Sequence, residues 1–206
     1  MITLIDQIFW EEKHAKQDVV WLTGTALDYL IQQHNILPEF LKNKKVLEIG
    51  VGLGLCSKNF RQYTDELYCA DISQTALDRV KDYARQTFLT GDINKSPAVD
   101  LAICHLVFVH CTDVEMTRII NDVNLTHDGV LSFQVSRLAD PITDEKLRAR
   151  LIDNGSHFFR DFDVTKQIVE STNKEIISIT DGKFPGAFDP SLNQEWYFVQ
   201  VRNKSL

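Results

Sequence analysis

The stretch KVLEIGVGLG, Lys45 to Gly54, sets Gly50, Gly52 and Gly54 at alternate positions directly after a short apolar run. Glycines spaced this way let a backbone turn sharply and come close to a nucleotide. Glu48 interrupts the apolar run two residues before the first glycine. A dinucleotide fingerprint, G-x-G-x-x-G/A, needs its third glycine where this chain has Leu55. A carboxylate beside the turn would repel a pyrophosphate and attract a cation. Further along, Asp71 and Asp92 each close an apolar run, in LYCADI and FLTGDI, and CHLVFVHC brings Cys104, His105, His110 and Cys111 together. The spacing of those cysteines and histidines matches no standard zinc pattern, so no metal site is expected. A histidine there reads as a proton acceptor, or as part of a ligand wall.

These residues need a scaffold that brings strand ends together. Short β-rich runs, KKVLEIG (44–50), ELYCADI (66–72), QTFLTGD (86–92), VDLAIC (99–104) and GVLSFQV (129–135), alternate with helical patterns. Ala76, Leu77, Val80, Tyr83 and Ala84 form one stripe behind Ser73 as N-cap; Met116, Ile119, Ile120 and Val123 form another behind a capping box, Thr112 to Glu115. A helix after Gly54 is inferred from position. Strand–helix alternation predicts parallel strands with helices on both faces. A helix-like stretch, PITDEKLRARLIDNG (141–155), and a short helix near 164–171 come next. KEIISIT (174–180) and QEWYFVQVR (194–202) follow, joined by a link too short for a crossover, so they should pair antiparallel. Ala26, Leu27, Leu30 and Ile31 mark a helix before the first strand.

Motifs and element order together resemble the class I S-adenosylmethionine-dependent methyltransferases, from about residue 44 onward. VLEIGVGLG is similar to their first motif, E/D-x-G-x-G-x-G, and VDLAICHLVFVHCTD to their fourth-strand motif. The resemblance implies a Rossmann-like α/β fold, with a mostly parallel seven-stranded sheet and an antiparallel last strand. It implies S-adenosylmethionine as cofactor and S-adenosylhomocysteine as product. Glu48, Gly50, Gly52 and Gly54 would hold the methionine part. Asp71, with Ile72 beside it, would accept from both ribose hydroxyls; Asp92 and Ile93 would meet the adenine, and Cys104 would line the site. It also makes His110 the first candidate for a general base, with His105 second. Motifs for amide and adenine acceptors (N-P-P-Y), for catechol-type metal-assisted transfer and for arginine methylation are missing, which leaves a small-molecule oxygen or nitrogen acceptor as the expectation.

The 206 residues suit a single domain: a helical cover over 1–43, the cofactor-binding core over 44–135, and a substrate-side segment with the final strand pair over 136–206. Trp10, Lys13, His14 and Trp21 read either as part of this cover, excluding water, or as ordinary packing. Beyond the fifth strand, Arg148, Arg150, Phe158, Phe159 and Arg160 read either as a grip on an acidic or aromatic acceptor or as a packed lid, and His157 could reach the site from there. With a net charge of −7 nothing recruits nucleic acid or anionic membrane over the whole surface. Scattered cysteines and the lack of a signal-like N-terminus suit a reducing, cytoplasmic setting, and a monomer or homodimer is expected. The rival readings are an NAD(P)-dependent oxidoreductase on a similar sheet, and a regulatory protein that binds S-adenosylmethionine without turnover.

Overall fold

A computed structural model describes residues 4–16, 34, 36, 38–138, 158–182 and 194–205. The expected helix around Ala26–Ile31, the stretch 141–155, Trp21, Arg148, Arg150 and His157 lie outside the described residues. Helix α1 (Leu4–Ala15) and the short α2 (Pro38–Leu41) precede the sheet. Then come β1 (Val46–Ile49), α3 (Leu55–Phe60), β2 (Leu67–Asp71), α4 (Gln74–Val80), β3 (Gln86–Leu89) and β4 (Val99–Cys104). The chain continues through α5 (Asp113–Asp122), β5 (Leu125–Leu138), α6 (Phe162–Glu170), β6 (Lys174–Gly182) and β7 (Gln194–Asn203).

The strands form one seven-stranded sheet in the order β3-β2-β1-β4-β5-β7-β6. β1 to β5 are parallel, and β7 runs antiparallel to both β5 and β6. This is the expected Rossmann-like sheet. Every residue of β1 and β2 is buried, as strands covered on both faces require. Alternate side chains feed two cores. Leu47, Ile49, Ala102 and Phe133 pack with α5 and α6, while Val46, Cys69 and Ile103 pack with α3 and α4. Each large aliphatic side chain so buried contributes about 1.5–3 kcal/mol. Glu48 shares the face of Val46, so it sits in the layer of α3 and α4.

The expected caps form. Ser73 accepts the N–H of Ala76 at the start of α4, and Thr112 and Glu115 complete a capping box on α5. Three boundaries differ from the sequence reading. β3 stops at Leu89, and Thr90–Lys95 winds into a 3-10 turn, so Asp92 does not close the strand. α4 ends at Val80, although the Tyr83 and Ala84 amides still donate to the Val80 carbonyl. β5 runs past both ends of its apolar run because Leu125 pairs with Val99 of β4 at one end and β7 supplies partners as far as Leu138 at the other.

Arg160 ties the post-β5 segment to the region after β4. Its guanidinium is 3 % exposed; Nε donates to Asp113 Oδ1 at 2.7 Å, Nη1 to the Phe108 carbonyl at 2.8 Å, and Nη2 to the Cys111 carbonyl. Its donors are spent on backbone and Asp113, which argues against the grip on an acidic acceptor. What it holds is the 3-10 turn Phe108–His110. Arg160→Met leaves those carbonyls and Asp113 unmatched, and should lower unfolding free energy by about 3 kcal/mol in urea denaturation.

Candidate active site

Strand order reverses between β1 and β4, and a cavity lies beyond the carboxyl ends of the strands there, where open α/β sheets take ligands. Its floor is the glycine turn. Gly50 donates to the Ala70 carbonyl at 2.7 Å and Gly54 to the Val51 carbonyl at 2.8 Å, which closes the loop between β1 and α3. Gly50 has φ +82°, and a Cβ there would lie 2.1 Å from a Val107 methyl. Gly52 has φ +52°, but a Cβ there would meet nothing within 4 Å. The space above Gly52 is open for a ligand.

Two buried carboxyls frame this floor. Glu48, 4 % exposed, accepts the Ser57 hydroxyl from the first turns of α3. Burial pushes its pKa up to about 8, against the pull of Ser57 and with added repulsion from Asp71. Asp71 accepts the Gly52 amide on Oδ2 at 3.1 Å and the Ser73 amide on Oδ1 at 2.9 Å, so it joins the glycine turn to the start of α4. Burial raises its pKa too, opposed by those amides and by His14. Each carboxylate oxygen still has a second lone pair, so Asp71 can serve the turn and a diol together.

The side wall comes from α1. Glu11 accepts the Ser73 hydroxyl at 3.1 Å, the Thr75 amide at 3.2 Å and the Gln74 amide, and so caps α4 from outside. Arg79 donates to the His14 carbonyl at 2.6 Å. Docked this way, α1 presents Trp10 and His14 to the cavity. Burial lowers the pKa of His14, with Asp71 opposing, and its Nδ1 is buried without a hydrogen-bond partner.

The far wall follows β4. His105 to Val107, His110 and Cys111 line the cavity, and the His110 ring stands edge-on to Trp10 with centroids 4.8 Å apart. Leu106 holds φ +55°, rare for a residue with a side chain. His105 Nδ1 lies 3.3 Å from Nε2 of His34, whose Nδ1 lies 2.6 Å from the Ser132 hydroxyl of β5. Burial depresses both imidazoles, His34 to about 3 and His105 well below its usual range, the latter also through His34.

The structure thus brings Glu48, Gly50, Gly52, Asp71, Ile72, His105 and His110 to one cavity wall. The remaining expected residues lie elsewhere. Gly54 faces Val80, with a Cβ there falling 2.7 Å from it. Ile93 and Cys104 are fully buried in the core against α5. Asp92, its side chain 50 % exposed, pairs with Lys95 at 2.8 Å. Thr90 reaches the wall instead of Asp92 because the chain turns straight after Leu89. Thr90, Leu106 and His34 were missed: a positive φ on a leucine and a contact across 98 residues leave no local sequence signal. Among the described residues no group of His, Cys, Asp and Glu could hold a metal ion, and no helix is long and apolar enough to cross a membrane.

The raised carboxyl of Glu48 gives a stability test. An unfolded glutamate ionises near 4.5 and the folded one near 8, so ligand-free protein loses stability from this group as pH rises between those values. Glu48→Gln keeps an acceptor for Ser57 and removes the loss. In urea denaturation the variant should match the parent near pH 4.5 and exceed it at pH 8.

Residues 46–125 match the family model described as a methyltransferase domain. No curated protein matches the chain in sequence. Solved structures with a similar fold include a SAM-dependent methyltransferase from Leishmania major, 13 % identical over 96 % of this chain and 82 % of that one, TM-score 0.70. The N-methyltransferase NodS from Bradyrhizobium japonicum WM9, in complex with S-adenosyl-L-homocysteine, is 16 % identical over 97 % and 99 %, TM-score 0.66. Magnesium protoporphyrin IX methyltransferase from Synechocystis PCC 6803, with bound SAM, is 14 % identical over 99 % and 100 %, TM-score 0.61. The chain thus shares the fold of these three structures, and within it residues 46–125 are similar to a methyltransferase domain.

Proposed function

We propose that this protein is an S-adenosylmethionine-dependent methyltransferase acting on an oxygen or nitrogen of a small-molecule acceptor. The observation that carries this reading is the floor of the cavity: open space over Gly52, bounded by two buried carboxyls, Glu48 and Asp71, whose protonated tendency burial enforces. Such carboxyls suit a ligand that brings positive charge and hydroxyl donors, and do not suit a pyrophosphate. Leu55 stands where a dinucleotide site needs glycine. The cradle fits S-adenosylmethionine, which supplies a methyl group on a positively charged sulfur that a nucleophile takes by in-line displacement.

In this reading Glu48 and the amides of the Gly50–Gly52 turn hold the charged methionine end. Asp71 receives the ribose hydroxyls, and Ile72 and Thr90 flank the base. Gly54, Asp92, Ile93 and Cys104 support the fold rather than the ligand. Trp10 and His14 cover the site, consistent with a cover over residues 1–43, and exclude water that would compete for the methyl group. His110, held by the Arg160-bound turn and facing Trp10, takes the proton of the acceptor. The name of the N-methyltransferase NodS supports transfer to nitrogen, and that of magnesium protoporphyrin IX methyltransferase supports a small-molecule acceptor. Cys56, Cys69, Cys104 and Cys111 form no disulfide among the described residues, which suits a reducing, cytoplasmic setting, and the acidic balance speaks against nucleic acid as a partner.

Calorimetry with S-adenosylhomocysteine should find binding at tens of micromolar or tighter, and Gly52→Ala should weaken it at least tenfold, about 1.4 kcal/mol. The same variant should lower stability by only about 1 kcal/mol, the strain of the left-handed conformation. Quenching of NADH fluorescence with no response to S-adenosylhomocysteine would overturn the reading. With labelled S-adenosylmethionine and pooled metabolites, His110→Ala should cut transfer about 100-fold or more while cofactor affinity stays within twofold. Unchanged transfer would remove His110 from proton abstraction.

A further inference from the structure

His14 stands on α1 beside the two anchors that hold this helix over the site. Glu11, one turn earlier, accepts from the Ser73 hydroxyl and from the amides of Gln74 and Thr75, and Arg79 donates to the His14 carbonyl. Ser73 is therefore gripped from two sides, by Glu11 from outside and by Asp71 from within, which sets α1 beside Asp71. The His14 ring takes no part in this docking. It lies tilted against Trp10 with centroids 5.9 Å apart, and among the described residues neither of its nitrogens has a hydrogen-bond partner. The residue is 4 % exposed and lines the same cavity as Asp71. A buried imidazole whose nitrogens go unused is poor packing, since an apolar side chain would fill the space without desolvating polar atoms. Its place on the cavity wall points to a ligand instead.

Asp71 limits what that ligand group can be. The two residues are near enough for each to act on the other's charge. Asp71 keeps spare lone pairs after serving the Gly52 and Ser73 amides, so it calls for a donor. A neutral imidazole offers one N–H and one bare nitrogen. A hydroxyl suits both residues together, because it donates through its hydrogen while it accepts on its oxygen. Two adjacent hydroxyls suit either tautomer of the ring. An ammonium has no lone pair for the imidazole N–H, and a phosphate would be repelled by Asp71 and Glu11.

We propose that His14 is a cofactor-binding residue that closes, with Asp71, on the ribose diol of the S-adenosyl ligand and selects it over ligands that lack one of the two hydroxyls. This rests on the methyl-donor reading above, and names the residue of the cover that touches the cofactor and the part it reads. Glu11 and His14 lie three positions apart on one face of α1. The helix that shields the site is thus tied to α4 by the first and to the ligand by the second.

Calorimetry of the full chain with S-adenosylhomocysteine and with its 2′-deoxy and 3′-deoxy analogues tests this. In His14→Phe, which keeps a ring against Trp10, affinity for S-adenosylhomocysteine should fall about fivefold or more, and the preference over at least one deoxy analogue should shrink by a similar factor. His14→Gln keeps a donor and an acceptor and should retain most of that preference. A folded His14→Phe whose preferences over both analogues stay within about twofold of the parent's overturns the proposal and leaves His14 as packing alone. The parent protein gives a second measurement. Its His14 ring signals, assigned through the backbone, should move with S-adenosylhomocysteine and move differently with the analogue that lacks the contacted hydroxyl. Identical shifts with all three ligands overturn the proposal even if neither variant folds. A parent that does not bind S-adenosylhomocysteine sinks the cofactor reading and this assignment with it, whereas binding that is indifferent to His14 removes the assignment alone.

Discussion

The site depends on Asp71 accepting the amide of Gly52. That contact joins the end of β2 to the turn after β1 across 19 residues, and the second oxygen of the same carboxyl holds the start of α4 through Ser73. Without it, a loop with positive φ at Gly50, Gly52 and Gly54 has few ties beyond its own short hydrogen bonds. Placing the carboxyl there is unfavourable in itself, since burial works against its charge. The amides and the nearby His14 offset that, and a ligand rich in hydroxyl donors would offset it further.

Glu48 follows the same logic with fewer partners. A carboxyl pushed to a pKa near 8 is a poor structural element and a good receptor for positive charge. The cavity thus stores unfavourable electrostatics that a cationic ligand relieves. Elements outside the sheet close in on these carboxyls. Glu11 caps α4 from a different helix, and the docking of α1 brings Trp10 over the opening, within ring contact of His110.

Arg160 shows how a charged residue in a connecting segment can serve position rather than recognition. Its guanidinium satisfies carbonyls of the turn that carries His110, and the Phe158 amide adds a bond to the Val109 carbonyl at 2.7 Å. The turn after β4 is therefore set from both sides: by Arg160 beneath His110, and by the row of His34 and Ser132 behind His105. Two histidines five positions apart acquire different environments, one facing an aromatic ring at the opening and one drawn toward the sheet.

Period-two and period-3.6 patterns, caps and the glycine spacing were local, so the strands, the helices α4 and α5 and the turn after β1 were legible along the chain. Glu48 and Asp71 were legible for the same reason: an acid that ends an apolar run stands at a strand end. Asp92 misled because the backbone leaves β3 at Leu89, a choice made by packing of the 3-10 turn, which buries Ile93 and exposes Asp92. Arg160 and His34 act through contacts tens of residues away in sequence, and Leu106 through a backbone angle that its residue type disfavours. Local chemistry and spacing thus decided which kind of ligand the turn can face. Long-range packing decided which neighbours complete the wall, because hydrogen-bond partners across the sheet and between layers are set only when the chain closes on itself.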